Sequence, residues 1–469
     1  MSAQISPPAP RPSGRLPGGP VLRLTLFAAV AASALHSIPT RMPSLAQAAP
    51  PVGEEIRALL AEAATAPPLT CMLAARSVEG GGWLRGGRAP VRPLNAATAD
   101  QSWDGYRDIT PDDVTFLLER LESGNACSRE IAIRLLARDG SDATRAGLTR
   151  HLRAADADLR AVAAFGLGMI ADEESASALL PLVTDNAAAP RANAVWALGR
   201  IGDLRAFDAV HRAIDDNDAI VREAAAQALG HFDSTAAVSA LMRHLRTDDS
   251  PAVRRTCAWA LAQLGAGEAL EALAQAMRQD ADAKVREMSA WAVGNLDQRG
   301  AHPALVEAAR RDSDAEVRET AVWALGESRD RSHAAAIGDL LATERAPRVR
   351  ATAAWALGVL EPASAPRGLT AALRDADDDV RLKAAWALSE IGDSSALPAV
   401  RSALETETVE RTRRALLRAL ISSGESEEQM VRMFSSPHAR DREMVARALA
   451  GRSRIDVWPW PMPRPRPFP

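Results

Sequence analysis

Lysine is almost missing from this chain: Lys284 and Lys383 are the only two, so arginine carries nearly all the basic charge. That scarcity removes two catalytic signatures at once. A phosphate-binding loop needs Gly-Lys, but Ala283 and Leu382 precede the two lysines, and no Ser-x-x-Lys pair exists. Aromatic residues make up only 4% of the chain, with a single tyrosine, although 47% of it is hydrophobic. Ala and Leu dominate that apolar content, which suits closely packed helices and not the Val-, Ile- and Tyr-rich strands of a β-sandwich. The three cysteines, Cys71, Cys127 and Cys257, lack metal-type spacing. There is no Gly-x-Ser-x-Gly elbow and no His-Glu-x-x-His helix, and none of the eight histidines is followed by Glu. The sequence thus offers no catalytic constellation, no metal set and no cofactor motif. No later apolar run reaches the roughly 20 residues that a spanning helix needs.

The first 48 residues contain Arg11, Arg15, Arg23 and Arg41 but no acid. An apolar run from Leu24 to Leu35 leads to Ala46-Gln47-Ala48, a small-x-small cleavage signature. Residues 1–48 are therefore predicted to be a signal peptide, and the mature protein is expected in the periplasm or outside the cell, with no membrane span. A retained anchor or a mis-assigned start is the alternative. Removing this segment moves the net charge from −4 to near −8. A nucleic-acid binder would carry the opposite sign, so no nucleic-acid partner is expected. In an oxidising compartment Cys71 and Cys127 could form a disulfide, whereas Cys257 occupies a repeat position filled elsewhere by Ala and reads as a small buried hydrophobe.

What is abundant is one pattern. An arginine recurs as Arg129, Arg160, Arg191, Arg222, Arg254, Arg286, Arg318, Arg350, Arg381 and Arg413, always 31 or 32 residues apart, with a worn copy at Arg442. Around it runs Asp-x-x-Val-Arg-x-x-Ala-Ala-Trp-Ala-Leu-Gly, clearest from Asp314 to Gly326 and from Asp377 to Leu388. Such a period marks a solenoid, in which no unit can bury its apolar face alone. Four residues before the arginine stands a helix cap: Asp156, Asp218, Ser250, Asp282, Asp314 or Asp377. Pro251 and Pro347 follow at the first helical position, where a missing N–H is harmless. The helix ends at glycine, as at Gly202, Gly265 and Gly392, and a second helix follows, for instance over Ala396 to Leu404. Val380, Ala384, Ala387, Leu388 and Ile391 fall on one stripe of the capped helix.

These residues resemble the bacterial HEAT-like repeats first named from phycobilisome lyases: Val-Arg-x-x-Ala-Ala-x-Ala-Leu-Gly-x-Ile-Gly-Asp. The resemblance covers residues 124–451 and implies an all-α fold. That fold is a right-handed, armadillo-like α-solenoid of about 10–11 two-helix repeats, preceded by an irregular N-terminal cap segment over 49–123 and followed by a Pro-rich tail, 452–469. It also implies that the capped helix lines the concave side. By the same resemblance Arg160, Arg191, Arg222, Arg254, Arg286, Arg318, Arg350 and Arg381 are structural and bond between repeats. The alternative is an anion-binding ridge. The His-Glu pairs of the HEAT-repeat deoxyhypusine hydroxylases are missing.

Five positions after the arginine stand Trp196, Trp259, Trp291, Trp323, Trp355 and Trp386, with Phe165 and Gln227 in the same column. Trp386 lies far round the helix from the apolar stripe, so it belongs to the concave side or to the seam with a neighbouring capped helix. Either the indoles are packed in that seam or they line a groove that grips an extended ligand. His151, His211, His231 and His244 share no spacing and are read as solvated surface. In the cap segment, Glu54 to Ala64 reads as a short helix, and Thr110-Pro111-Asp112-Asp113 starts another over Val114 to Leu121. The tail, Val457 to Pro469, alternates proline with Trp458, Trp460, Arg464, Arg466 and Phe468 and should be extended. It is either an inert end or a docking peptide, for a partner or for this chain's own tryptophans. Two functions stay open. One is a monomeric, non-catalytic scaffold that binds a protein or peptide on the concave face. The other is an accessory, bilin-lyase-like or peptidase-associated subunit of an enzyme system.

Overall fold

The computed structural model describes residues 56–57, 60–61, 109–123, 125–232, 234–296 and 303–450. The expected signal peptide, most of the cap segment, Cys71 and the Pro-rich tail lie outside these. Among the described residues all regular structure is helical. Eleven helices repeat the capped pattern: α1 (Ala126–Asp139), α2 (Ala157–Ile170), α3 (Ala188–Ile201), α4 (Ala219–Leu229), α5 (Pro251–Gln263), α6 (Ala283–Leu296), α7 (Ala315–Glu327), α8 (Pro347–Leu360), α9 (Asp378–Ile391), α10 (Glu410–Ser422) and α11 (Ala439–Leu449). A shorter helix after each of α1 to α10 covers its back, such as Val238–Thr247 after α4 and Leu397–Thr406 after α9. After α2 the covering element is a short helix, Ala176–Leu179, continued by a tighter 3-10 stretch, Leu180–Thr184, at Pro181, which has no N–H to donate.

Local chemistry sets the helix ends. Asp156, Asp218, Asp314 and Asp377 each accept a backbone N–H of the first turn, and Asp282 accepts those of Lys284 and Val285. Ser250 is a correction: its side chain caps nothing, and its backbone N–H instead donates to Asp248, 2.9 Å away. Pro251 at the next position loses no hydrogen bond, so that helix starts without a side-chain cap. The helix-ending Gly202 and Gly392 adopt φ of 73° and 66°, where glycine has no Cβ to clash.

The capped helices are buried nearly all round. In α9, Val380, Ala384, Ala385, Ala387 and Leu388 are inaccessible, and only the end residue Ile391 of the predicted stripe is half-exposed. The cause is three-sided packing, with a capped helix on each flank and a covering helix behind. Small residues set the spacing. A Cβ added to Gly168 would stand 2.6 Å from Ala197 Cβ, and one on Gly199 would stand 2.3 Å from Ala228 Cβ. Consecutive capped helices therefore touch along their length, whereas consecutive covering helices meet more sparsely. The capped helices thus form the more tightly packed of the two layers, the one that the resemblance puts on the concave side.

At the start, the helix Pro111–Glu122 is held by a reciprocal cap between Thr110 and Asp113. It packs on α1. Ile56 and Leu60 are buried, and Ser128 Oγ of α1 donates to the Leu60 carbonyl at 3.5 Å.

Candidate functional site

The arginine column forms one connected ladder. Arg160 grips Asp185 with Nε and Nη2, each 2.8 Å from a carboxylate oxygen. Arg286 does the same to Asp312 at 2.8 and 2.9 Å. The forks repeat as Arg191–Asp216, Arg222–Asp248, Arg254–Asp280, Arg318–Glu344, Arg350–Asp375 and Arg381–Glu407. Each acid stands six residues before the next arginine of the column, which reaches back to the acid's own carbonyl, as Arg286 Nη1 does to Asp280 O at 2.9 Å. The carboxylate also accepts a backbone N–H two residues on, as Asp280 does from Asp282. Every acid thus ties two repeats together and holds its own loop. The Arg160 guanidinium keeps Asp185 below the usual carboxylate range against the opposing effect of partial burial. At Asp375 burial, which pushes the carboxyl up, is outweighed by hydrogen bonds from Arg350 and the Asp377 backbone.

Both ends show what the rule requires. Ala154 stands where the first acid belongs, and Arg129 reaches instead to the cap residue Asp156 at 2.9 Å. Ser436 stands at the last acid position, and Arg413 pairs with Asp441, which Ser436 Oγ also contacts at 2.9 Å. Sequence reasoning found the arginines but not this acidic column. A carboxylate six residues ahead of each arginine was the available signal, but its partner lies 25 or 26 residues back in the chain, out of reach of any local pattern.

The tryptophan column runs along the inner seam. For Trp196, Trp259, Trp355 and Trp386 the benzo edge of the indole lies against a glycine at the end of the preceding capped helix. Added to that glycine, a Cβ would be 2.8 Å from Trp196 at Gly168, 2.9 Å from Trp259 at Gly230, 3.0 Å from Trp355 at Gly326 and 2.1 Å from Trp386 at Gly358. Phe165 stacks on Trp196 with centroids 5.0 Å apart. The seat is not uniform, however. Phe165, Trp196, Trp355 and Trp386 are 0, 2, 3 and 8% exposed, whereas Trp259, Trp291 and Trp323 are only half-buried. For two of these the cause is visible. Ala262 replaces the glycine ahead of Trp291, and at Gly294 the gap to Trp323 opens to 4.0 Å.

Polar groups surround this central window. Lys284 pairs with Glu287 at 3.0 Å and with Glu316 of the next repeat, and Arg348 continues the chain to Glu316 and Glu319, both at 3.2 Å. Burial pushes the Glu319 carboxyl up, partly offset by Arg348. His231 meets Trp259 edge-on at 5.3 Å. His244 is another correction: it is 7% exposed, with Nδ1 2.8 Å from Asp248 and Nε2 3.0 Å from Asp215. Asp248 stands one helical turn on, and Asp215 closes the other side from 29 residues back in the chain. Cys257 is buried and free, and burial raises its thiol pKa. Cys127 is buried in α1. Among the described residues no group of three or more His, Cys, Asp or Glu side chains is placed to hold a metal, and no helix is long and apolar enough to cross a membrane.

Fold and ladder together define an α-solenoid of helix pairs joined by one repeated arginine–carboxylate clamp. The family model described as HEAT repeats matches residues 146–230, 182–262, 210–294, 238–326, 270–358, 334–421 and 366–450, and the chain belongs to the HEAT-repeat family. No curated protein sequence matches it. Among solved structures, importin β aligns with a TM-score of 0.54 at 14% identity, over 81% of this chain and 59% of its own. Kap95p, from a structure concerning its binding to RanGDP, aligns with a TM-score of 0.52 at 14% identity, over 85% of this chain and 62% of that one. The complex of CpcE and CpcF of phycocyanin lyase from Nostoc sp. PCC7120 aligns at 0.33 and 21% identity, over 53% of this chain and 93% of that one. The chain thus spans about three-fifths of the two importin-type chains. At these identities the likeness is one of fold.

Proposed function

We propose that this protein is a non-catalytic scaffold that holds a protein or peptide segment on its inner face. The observation that carries this is the uneven tryptophan seam. Three consecutive indoles, Trp259, Trp291 and Trp323, are half-buried, while their neighbours in the column are sealed. Indoles with an accessible edge, set among carboxylates, arginines and amides, are the anchor chemistry of protein interfaces. Solenoids of this fold bind proteins elsewhere, as Kap95p binds RanGDP. The alternative, an accessory lyase-like subunit, would need reactive groups converging on the inner face. The His244 cluster lies instead on the covering helix Val238–Thr247.

Cross-linking the purified full chain to a co-purifying partner, followed by mass mapping, tests the proposal. Cross-links are expected on α5 to α7, and Trp259→Ser/Trp291→Ser/Trp323→Ser should lower partner recovery about tenfold or more, as loss of a hot-spot cluster does. Cross-links confined to the covering helices would sink it. We further propose that the protein works outside the cytoplasm after cleavage near Ala48, with Cys71 and Cys127 paired. The intact mass of the exported protein should begin at Ala49 and lie two hydrogens below the reduced value. A full-length, fully reduced cellular form would contradict both points.

A further inference from the structure

We propose that the inner face takes a polyproline-type segment, and that its resident occupant is this chain's own tail, Val457 to Pro469. The inference rests on the inner face being a binding surface, and pitch, reach and charge favour this occupant. Neighbouring helices pack about 8–10 Å apart. A polyproline helix rises about 9.3 Å per three-residue turn. A polyproline strand laid across the capped helices therefore offers one equivalent position to each successive tryptophan, which neither a helix nor a strand of a sheet does at that spacing.

The tail continues the chain directly after α11 and alternates proline with aromatic and arginine residues. Arg464 lies 14 residues beyond Ala450, an extended reach of about 43 Å at ~3.1 Å per residue. Trp323 on α7 is four capped helices back from α11, or about 32–40 Å at the same packing distance. Run backward along the inner face, the tail thus brings Arg464 level with Trp323. Charge selects the same register. Trp323 is followed one helical turn later by Glu327, which lies outside the pairs that Lys284 and Arg348 make with Glu287 and Glu319. Glu327 is exposed.

A fluorescently labelled peptide of residues 457–469, titrated by anisotropy onto the full chain and onto a chain ending at Gly451, tests this. Every described helix remains in the shorter chain. Saturable binding to the shorter chain is expected, with an apparent affinity for the full chain at least tenfold weaker, because the tethered tail competes at an effective concentration of about millimolar. Glu327→Lys, a surface change that leaves the seam intact, should weaken peptide binding about fivefold or more, and Trp323→Ser should weaken it further. A peptide whose prolines are all alanine should not bind. Equal affinity for the two chains, or binding unaffected by both substitutions, would overturn the proposal. If the peptide does not bind while partner cross-links still map to α5–α7, the tail assignment alone fails and the scaffold reading stands.

Discussion

A single atom decides how closely two capped helices approach. At Gly358 an added Cβ would stand 2.1 Å from Trp386 Cζ3, inside any tolerable contact, and rigid indole and helix backbone leave little room to yield. Gly358→Ala is therefore expected to destabilise the protein by about 1–3 kcal/mol through overpacking. Gly267 is the matched control, since nothing lies within 4 Å of a Cβ there and its φ is not positive. Gly267→Ala should be neutral within about 0.5 kcal/mol, as surface substitutions usually are. Equal denaturation midpoints for the two variants would refute the tight seat. At this scale the sequence was informative about type but not about environment. The tryptophan column was legible, as was its place off the apolar stripe. The accessibility of Trp291 and Trp323 goes with Ala262 replacing glycine and with the wider gap at Gly294, both visible only once neighbouring helices are side by side.

Between elements, the arginine–carboxylate ladder does what apolar burial cannot, because it fixes register. An Ala-rich interface slides with little penalty, whereas a two-pronged clamp such as Arg350–Asp375 fits at one offset. The ladder also predicts the acid response. Several of its carboxyls, Asp185, Asp375 and Glu407 among them, are held below their ordinary range in the folded state. A depressed folded value means that the stability these groups contribute is fully present above the unfolded carboxyl range. It is lost as pH falls through the folded values. The thermal midpoint should stay nearly flat from neutral pH down to about 5 and drop steeply below about 4. Asp375→Asn should lower stability at neutral pH by about 2 kcal/mol, between the values for exposed and buried pairs. It should also flatten the acid slope measured by calorimetry. An unchanged slope would show that the clamp is not what acid releases. The helices, their caps and their period were readable because they are local. The acidic column and the reach of Asp215 to His244 were not, because each joins loops a full repeat apart.

For the whole molecule, stacking creates a surface that no repeat possesses. The capped helices form the more tightly packed layer, and their tryptophan column runs along its seam. The seam is closed toward both ends of the column and looser in its middle. The most direct measurement is oxidative footprinting of the tryptophans, read residue by residue by mass spectrometry, on the free protein and on the partner-bound protein. With the tail removed at Gly451, Trp259, Trp291 and Trp323 should oxidise fast in the free protein and be protected in the complex, while Trp196, Trp355 and Trp386 should stay slow in both. Uniformly slow oxidation of all six, or a complex that leaves the central three as reactive as before, would contradict the account.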